Sequence, residues 1–508
     1  MTDDVVVNNY KRRAKSAIVQ QHFARVYNNE VLAVKIIGRT NEIEILEYCY
    51  NSTQSDFVAI YGRRRVGKTF LIRELFKDRI TFYVSGIFNE GAESQLSQWN
   101  REIAGFNYNE VKDADNWLDA FKNLNTIIEK TSHEGNKHKK VIFLDEVSWL
   151  ASNKKAGFLA GLDFFWNRWA SGRDDIMLII CGSASTWITD NIINSKGGLH
   201  NRLTRQILLN PFTLKECELF YQDRNIPFTR LQTAEAYMIF GGIPYYINLF
   251  MPHLSLYQNV DAVYFNESAE LRNEFENLYR SLFSNSETYI HVINALASKG
   301  IGMTRNEIVK ETGLSNGGNL TKILHNLIIC GFIRKYKTYG NKEKDSMYQL
   351  IDFFSLFDIK FRGRKEEYSI DYWLQISATP LYHAWSGFSY EKLCLLHIPQ
   401  ITKKLGISGI RTAIYAWSGD MNGSKSQIDL VIERADRVIN LCEVKFSSGV
   451  YSIEKKYAET IRNKRLAFAY NTKTRSALHN TMITTYGVVR NIESAEIIST
   501  IVLDDLFE

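Results

Sequence analysis

The stretch Val58-Ala-Ile-Tyr-Gly-Arg-Arg-Arg-Val-Gly-Lys-Thr-Phe-Leu-Ile-Arg-Glu74 decides the fold of the N-terminal half, because an apolar strand runs into a glycine-rich loop and then a helix. Gly62, Gly67, Lys68 and Thr69 fill every required position of the phosphate-binding-loop pattern G-x-x-x-x-G-K-[ST]. Backbone N–H groups of such a loop surround a β-phosphate, and the positive end of the following helix points at it. The alternative is a surface loop, which the flanking strand and helix disfavour. The stretch predicts binding of a nucleoside triphosphate.

Each residue of this loop has an expected task. Lys68 would reach the β- and γ-phosphates as a point charge, and the Thr69 hydroxyl would ligate Mg²⁺. The loop positions expected to hold the nucleotide together with them are Gly62, Arg63, Arg64, Arg65, Val66 and Gly67. ATP and Mg²⁺ are therefore the predicted cofactors.

A second buried strand, Lys140–Asp145, ends in carboxylates and supplies the other half of a triphosphatase site. Asp145 would hold Mg²⁺, directly or through water, and Glu146 would polarise the attacking water. A strand ending in Asp-Glu is also common in α/β folds without such a site, but here it follows a phosphate-binding loop. A third apolar strand ends at Ser183, which is placed to sense the γ-phosphate.

Two arginines, Arg202 and Arg205, stand just before the apolar run at 207–209. Either one would suit an arginine finger that stabilises transition-state charge, in cis or from a neighbouring subunit. Arginines are equally common on solvated surfaces. The sequence leaves both alternatives open.

Over residues 34–250 the motifs occur in an order that resembles the prokaryotic AAA-type ATPases close to the signal-transduction (STAND) class, a family first noted mainly in archaea. The motifs that carry the resemblance are Gly38-Arg39-x-x-Glu42, the phosphate-binding loop, Phe-Leu-Asp-Glu, Cys-Gly-Ser, Asn-Arg-Leu and Gly241-Gly-Ile-Pro244. The resemblance implies that Gly38 and Arg39 lie near the adenine and that Gly241–Pro244 belongs to a helical lid. This lid shows no clear second-sensor arginine. We therefore expect slow, switch-like ATP turnover at least as much as the continuous ATP hydrolysis of a motor.

The middle of the chain has the pattern of a winged helix-turn-helix. Apolar residues recur at helical spacing from Tyr289, and Thr304 with Glu307 forms a capping box before the next helix. A further amphipathic helix and a predicted β-hairpin follow. If the domain binds DNA, the residues that would contact it are Lys322, Arg334 and Lys335. A structural spacer or a protein-contact module is equally compatible with the pattern.

The C-terminal part places four chemically suited side chains in one pattern. Asp429 emerges from an apolar strand, and Glu443 and Lys445 are two residues apart on the next strand, so they share a face. Glu391, on an upstream amphipathic helix, offers a further carboxylate. Carboxylates that hold Mg²⁺, with a lysine that orients water or stabilises charge, suit phosphodiester cleavage. The alternative is a half-buried hairpin whose charges face solvent.

This constellation resembles the PD-(D/E)XK, or restriction-endonuclease-like, nucleases over about residues 380–480. The resemblance implies that Asp429 is the first acid, that Glu443 and Lys445 form the E-x-K element, and that Glu391 is the helix acid. Asp429 and Glu443 would then be the metal ligands. Ile428 stands where the family name has Pro. A degenerate fold that only binds nucleic acid is an alternative.

Length and composition fit a multidomain globular protein. The chain has 508 residues, too many for one core, and its 23% of charged residues is ordinary. Scattered cysteines without a Cys-x-x-Cys pair indicate reduced thiols and predict a cytoplasmic location. No apolar run reaches the ~20 residues of a membrane span, and no signal-peptide pattern opens the chain. A net charge of +6 permits nucleic-acid contact without demonstrating it.

The predicted fold class is multidomain α/β. In chain order, the predicted parts are an N-terminal extension (1–33), a P-loop AAA-type ATPase core (34–210), a helical lid (211–280), a winged helix-turn-helix (281–350), a linker (351–379) and a restriction-endonuclease-like α/β domain (380–508).

Two functions of different classes fit these predictions. The first is an ATP-binding and hydrolysing switch coupled to a Mg²⁺-dependent DNA nuclease, and a role in defence or mobile-element control is inferred only by analogy. The second is a regulatory or signalling ATPase that binds DNA or a partner protein and carries an inactive nuclease fold. DNA is the expected nucleic-acid partner. A homo-oligomer and a protein trigger are compatible with both functions, and no membrane partner is expected.

Overall fold

Apolar runs in the N-terminal domain form a parallel sheet that is buried on both faces, as continuous hydrophobic strands predict. The strands lie in the order β2-β3-β4-β1-β5, and every neighbouring pair is parallel. The computed structural model describes residues 35–108, 110–132, 138–183, 185–341, 345–362, 372–421 and 423–508, so the predicted extension at 1–33 lies outside the described residues. The strands are β1 (Asp56–Tyr61), β2 (Ile80–Ser85), β3 (Lys140–Asp145), β4 (Ile176–Cys181) and β5 (Arg205–Leu208).

Helices cover this sheet and bury an aromatic core against it. Trp99, Trp117 and Phe121 are fully buried and contact one another with ring centroids 4.9–6.4 Å apart. The helices of this domain are α1 (Thr40–Asn51), α2 (Lys68–Leu75), α3 (Ala92–Ala104), α4 (Trp117–Ser132), α5 (Val147–Leu150), α6 (Phe158–Phe164) and α7 (Ser185–Ile188). Because the strands are parallel, the segments that follow β1, β3 and β4 leave the sheet at the same edge.

A helical domain follows the sheet. Its first two helices begin with the capping boxes Thr213–Glu216 and Thr229–Gln232. Its helices are α8 (Leu214–Asp223), α9 (Arg230–Phe240), α10 (Pro244–Ile247), α11 (Leu256–Val260) and α12 (Glu274–Leu282).

The middle domain consists of three helices and a three-stranded antiparallel sheet in the order β6-β8-β7. The predicted capping box of Thr304 and Glu307 is present at the start of its second helix. Its elements are α13 (Ser286–Ala297), β6 (Met303–Thr304), α14 (Arg305–Thr312), α15 (Gly318–Ile329), β7 (Ile333–Tyr336) and β8 (Met347–Leu350). Helix–helix–helix followed by a hairpin is the element order that the sequence predicts, and its DNA-binding role stays a prediction.

The stretch 351–379, predicted as a linker, is not a linker in its described residues. It forms α16 (Phe353–Phe361) and α17 (Tyr372–Ser377). Phe354, Phe357 and Phe361 recur at helical spacing and have no exposed surface. Phe354 and Phe357 pack on Tyr264 of the helical domain, and Phe361 packs on Trp373 and Trp385. Phenylalanines at helical spacing are the pattern of a buried helix, and this pattern outweighs the prediction of a linker.

The C-terminal domain places helices beside a five-stranded mixed sheet in the order β13-β12-β11-β10-β9. Strands β9 to β11 are antiparallel neighbours, and β11 to β13 are parallel neighbours. Its elements are α18 (Pro380–Leu396), α19 (Ile398–Lys404), β9 (Thr412–Met421), β10 (Ser424–Arg434), β11 (Val438–Lys445), α20 (Lys455–Thr472), β12 (Ala477–Thr484) and β13 (Ile497–Val502). Among the described residues, no helix combines the length and the apolar character needed to cross a membrane.

His397 joins the C-terminal domain to the helical domain. Its Nε2 accepts a hydrogen bond from the Leu214 backbone N–H at 3.2 Å, and its Nδ1 lies 2.8 Å from the Leu393 carbonyl oxygen. The side chain is buried, and burial lowers the pKa of His397 to about 4. The neutral ring with a proton on Nδ1 is the form that satisfies both contacts.

Acid is therefore expected to weaken this junction. Because the pKa of His397 is lower in the folded than in the unfolded chain, the unfolded chain takes up the proton first, and stability falls as the pH drops from about 6.5 towards 4. A His397→Gln protein should lose less melting temperature between pH 7 and pH 5 than the wild type. The check is thermal unfolding at both pH values, and equal losses in the two proteins would contradict it.

Candidate functional site

The phosphate-binding loop lies between β1 and α2 and needs glycine at both pattern positions. Gly62 has φ 142°, and an added Cβ would lie 2.3 Å from the Leu209 carbonyl oxygen. Gly67 has φ 91° at the start of α2. Such backbone angles favour glycine, and the loop curls because both positions have them. The Lys68 Nζ donates to the carbonyl oxygens of Gly62 and Arg63 at 3.0 and 2.9 Å, and burial lowers the pKa of this lysine.

The predicted acidic and polar residues meet this loop at the carboxyl edge of the sheet. The Thr69 hydroxyl donates to Asp145 at 2.8 Å, which joins the two predicted Mg²⁺ ligands directly. Glu146 accepts hydrogen bonds from the Ser183 backbone N–H at 3.1 Å and from its hydroxyl at 2.9 Å. Burial raises the pKa of Glu146, as suits a group that takes up a proton. The site fits a nucleoside triphosphate with Mg²⁺, because it combines a backbone cradle, a lysine and a Thr-Asp pair.

Two arginines of the loop are bound by distant parts of the chain. Arg63 is buried and forms an ion pair with Asp352, and its guanidinium lies 5.3 Å from the centre of the Phe332 ring. Arg65 pairs with Glu274 at 2.7 Å. Burial disfavours the charge of Arg63, but Asp352, Tyr246, Tyr279 and Glu274 together outweigh burial, so the pKa of Arg63 is raised. The loop is thus attached to the end of the middle domain as well as to the helical domain.

Sequence reasoning missed both acidic partners. Asp352 precedes the apolar helix α16, and its Oδ2 accepts the Ser355 backbone N–H at 3.0 Å, so the only local signal was that of a helix cap. Glu274 lies in the first turn of α12, where an acidic residue is ordinary. Neither position carries a pattern that points to the loop. Of the remaining loop residues, Arg64 is half-buried and Val66 is buried.

Gly38 and Arg39 brace the loop against the helical domain. The Arg39 backbone N–H donates to Glu216 at 2.9 Å, and its guanidinium donates to the carbonyl oxygens of Asn210 and Val66 at 2.7 and 3.1 Å. Gly38 has φ 63°, and an added Cβ would lie 2.5 Å from the Glu216 carboxylate. The contact with Val66 places this pair beside the loop, and contact with the adenine stays a prediction.

The two candidate finger arginines lie away from the loop of their own chain. Arg205 pairs with Val58 in the parallel ladder, whereas the loop leaves the opposite end of β1 after Tyr61. Arg205 is exposed and lies 5.6 Å from the centre of the Tyr48 ring, and Arg202 is exposed in the segment before β5. This placement argues against a finger in cis, because parallel strands send the loop and these arginines to opposite edges. A finger from a neighbouring subunit and a plain surface role both remain predictions.

A second candidate site lies on the hairpin β10–β11. The two strands are antiparallel, and Leu430 pairs with Cys442. In this register, Asp429 lies opposite Glu443. The register between β10 and β9 shifts between Ile428 and Val431, a bulge of the kind that often re-aims a side chain beside an active site. Lys445 follows Glu443 on the same face of β11.

The four predicted residues are brought together around Glu391. Burial, followed by the Asp429 carboxylate, raises the pKa of Glu391 to about 7, and Lys445 and Glu443 also act on it. Lys445 Nζ lies 4.8 Å from the centre of the Tyr457 ring. The juxtaposition that the sequence predicts is present, and the catalytic roles remain predictions.

Glu443 is held by two residues of α20 that were not predicted as its partners. Lys464 forms an ion pair with its Oε1 at 2.7 Å, and the Tyr457 hydroxyl donates to its Oε2 at 3.0 Å. Within the described residues, no group of three or more His, Cys, Asp or Glu side chains is arranged to hold a metal ion. Glu443 therefore has an ion-pair partner in this arrangement, and the roles of Asp429 and Glu443 as metal ligands stay a prediction.

The three basic residues predicted for DNA contact have different surroundings. Lys322 is exposed on α15, and Lys335 is exposed on β7. Arg334 instead faces a cavity of about 290 Å³ between the middle and C-terminal domains, and Asp429 also lines this cavity. Burial lowers the pKa of Arg334 to about 10, with Tyr336 and Asp429 opposing that shift.

Comparison with known proteins gives a family for the N-terminal part. Residues 36–250 match the model of an ATPase domain predominantly from Archaea. An uncharacterized protein of Methanocaldococcus jannaschii is 24% identical over 443 residues, covering 85% of this chain and 92% of that protein. An uncharacterized ATP-binding protein of the same organism is 39% identical over 46 residues, covering 9% of this chain and 78% of that protein.

A solved structure, the Walker-type ATPase of Pyrococcus abyssi, is 18% identical and covers 64% of this chain and 96% of its own, with a TM-score of 0.48. The family match confirms the archaeal-type ATPase that the motifs predict over residues 34–250. Residues 36–250 form an ATPase domain of the kind found predominantly in Archaea.

Proposed function

We propose that this protein is an ATP-dependent switch that controls a Mg²⁺-dependent DNA-cleaving site in its C-terminal domain. The observation that carries the proposal is the position of the hairpin β7–β8, which contacts both candidate sites. Phe332 precedes the hairpin and Asp352 follows it, and both contact Arg63 of the phosphate-binding loop. Within the hairpin, Arg334 lines the cavity that also holds Asp429.

In the ATPase site, the residues have separable tasks. Lys68 binds the phosphates, Thr69 and Asp145 are suited to hold Mg²⁺, and Glu146 takes the proton of the attacking water. Ser183 positions the Glu146 carboxylate through two hydrogen bonds. Arrival of a triphosphate changes the charge beside Arg63, and its ion pair with Asp352 carries that change to the hairpin.

In the C-terminal site, Asp429, Glu443 and Glu391 supply the carboxylates. Mg²⁺, when bound there, polarises the scissile phosphate and lowers the pKa of a water molecule. Lys445 is placed to orient that water or to stabilise negative charge, since it stands on the same face as Glu443. Lys464 already pairs with the Glu443 carboxylate, so a metal bound there would share that carboxylate with Lys464 or displace it.

One observation favours a second candidate function, in which the C-terminal domain binds nucleic acid without cutting it. Both oxygens of Glu443 already have partners, Lys464 and Tyr457. A lysine that neutralises this carboxylate permanently would leave a binding module under the control of the ATPase. The two candidates share the ATPase switch and differ only in whether a phosphodiester bond is broken.

The test is incubation of the purified protein with supercoiled plasmid DNA, with and without Mg²⁺ and with and without ATP. Nicking or linearisation that needs Mg²⁺ and changes with ATP supports the switch. Cleavage that a Lys445→Ala preparation reproduces would come from a contaminant or from a site that does not use Lys445. If the wild type binds DNA and cuts none under any of these conditions, the binding-only candidate replaces the nuclease.

A Glu146→Gln protein is expected to bind ATP normally while its hydrolysis rate falls by about 10²- to 10⁴-fold, because a positioned general base contributes about that much. Glutamine keeps the shape of the side chain and can still accept from Ser183, so the loop should not collapse. Isothermal titration gives the affinity, and phosphate release gives the rate. The exposed Glu93→Gln exchange is the matched control. Unchanged hydrolysis in the Glu146→Gln protein would remove Glu146 from the mechanism.

A further inference from the structure

The cavity between the middle and C-terminal domains has an unusual mixture of charges. Two acids, Glu391 and Asp429, line it together with two cations, Arg334 and Lys392. Neither cation lies within ion-pair distance of an acid among the described residues, because Arg334 and Lys392 contact uncharged groups instead. Asp429 accepts a hydrogen bond from the Gln427 side chain at 2.5 Å, and no ion pair within the described residues neutralises this carboxylate or the two cations.

Lys392 is buried at the contact between the middle and C-terminal domains. It is 3% exposed, its Nζ donates to the Gly300 carbonyl oxygen at 2.7 Å, and it lies 4.4 Å from the centre of the Phe388 ring. Gly300 itself is required there, because an added Cβ would lie 2.3 Å from Phe388. Gly300 uses one of the three N–H groups of the protonated amine. Burial lowers the pKa of Lys392 to about 7, and a bound anion would favour the protonated form.

Arg334 reaches the same cavity from the hairpin. Its Nε donates to Gln349 at 2.6 Å, across the rung on which these two residues pair, and its guanidinium lies 4.5 Å from the centre of the Tyr336 ring. No hydrogen bond joins its terminal Nη groups to another of the described side chains. The Nε of Arg334 is thus held by Gln349, while its Nη groups face the cavity. A guanidinium in this position can form a bidentate contact with a phosphate.

We propose that Arg334 and Lys392 bind a phosphodiester group of the nucleic-acid substrate beside Glu391 and Asp429, so that the middle domain completes the C-terminal site. This inference rests on the proposed function for its substrate class. Carboxylates on one wall hold a cation, and the guanidinium and ammonium opposite hold the phosphate anion. A site divided in this way can engage its substrate only while the hairpin is docked on α18.

The test is DNA binding measured by fluorescence anisotropy with a labelled oligonucleotide duplex, in Ca²⁺ to suppress cleavage, over a series of salt concentrations. Arg334→Ala and Lys392→Met should each weaken binding by about 10-fold or more, and Arg334→Ala should reduce the slope of log K against log salt by about 1, because one phosphate contact is lost. The exposed Arg101→Ala exchange, with the same loss of charge, is the matched control and should leave the slope unchanged. Arg334→Lys should recover part of the affinity.

The same variants are then compared in DNA cleavage and in binding of RNA of the same sequence. A raised KM in Arg334→Ala with normal ATP hydrolysis supports the proposal, and equal losses for DNA and RNA identify the shared backbone as the ligand. Unchanged affinity, slope and KM would overturn it even if the wild type cuts DNA. Faster cleavage by Arg334→Ala would also overturn it, because the hairpin would then block the site. If the wild type cuts nothing but Arg334→Ala lowers affinity and slope, the nuclease fails and the phosphate site stands.

Discussion

A Lys68→Ala protein is expected to bind ATP about 100-fold more weakly than the wild type, or not measurably. The lysine is buried beneath the loop, and burial lowers its pKa while the nearest groups are carbonyl oxygens. Lys68 forms no ion pair within the described residues, and the phosphates of ATP would be its anionic partner. Loss of a hydrogen bond to a charged group costs up to about 3 kcal/mol, which corresponds to roughly two orders of magnitude in affinity.

Isothermal titration with ATP measures this effect, and two further variants make it interpretable. Lys77→Ala removes the same charge at an exposed position a few residues along the chain and should bind ATP normally. Lys68→Met keeps the buried aliphatic stem, so a loss of affinity shared by Lys68→Met and Lys68→Ala arises from the missing ammonium rather than from a cavity. Normal ATP affinity in Lys68→Met would show that the lysine does not serve the phosphates.

The second large effect is expected from Lys445→Ala, which should lower DNA cleavage by about 10²- to 10³-fold, the cost of removing one preorganised group that stabilises charge in the transition state. ATP hydrolysis should stay close to normal, because Lys445 ends β11, away from the phosphate-binding loop. Its ring contact with Tyr457 indicates a modest structural contribution as well. Rates of plasmid nicking and of phosphate release, measured on the same preparation, separate the two activities.

The matched control is Lys403→Ala, an exposed lysine on α19 of the same domain. It should cut DNA at the wild-type rate. Equal cleavage by the Lys445→Ala and wild-type proteins would rule out a role for Lys445, whatever the activity of the domain. Loss of cleavage in both lysine variants would point to general loss of positive charge rather than to the site.

The sequence predicts the elements of the ATPase site well because its residues act locally. Gly62, Gly67, Lys68 and Thr69 lie within eight consecutive positions, and the backbone conformation of that loop depends mainly on its own glycines. Asp145 could be placed because a parallel strand sends its carboxyl end to the same edge as the loop. The capping box at Thr304 was equally predictable, since both partners lie three residues apart.

Contacts between distant segments were not predictable in the same way. Nothing near Asp352 points to Arg63, and nothing near Lys464 points to Glu443. A helix cap and an exposed-looking lysine are the ordinary interpretations of those two residues. Arg334 shows the same limit, because its position on a predicted wing gives no sign that packing places it in a cavity with Asp429. Tertiary packing decides which residues of different domains form pairs, and local sequence patterns give no information about it.

The attachment of the phosphate-binding loop has a consequence for how the chain folds. Arg39, Arg65 and Arg63 take their partners from Glu216, Glu274 and Asp352, which are synthesised progressively later. A chain cut after residue 250, at the end of the family match, would lack Glu274 and Asp352 and also Phe332, which covers the Arg63 guanidinium. The matched segment alone therefore cannot form the full set of contacts that hold this loop, and the chain must be synthesised at least to Asp352 before all of those contacts can form.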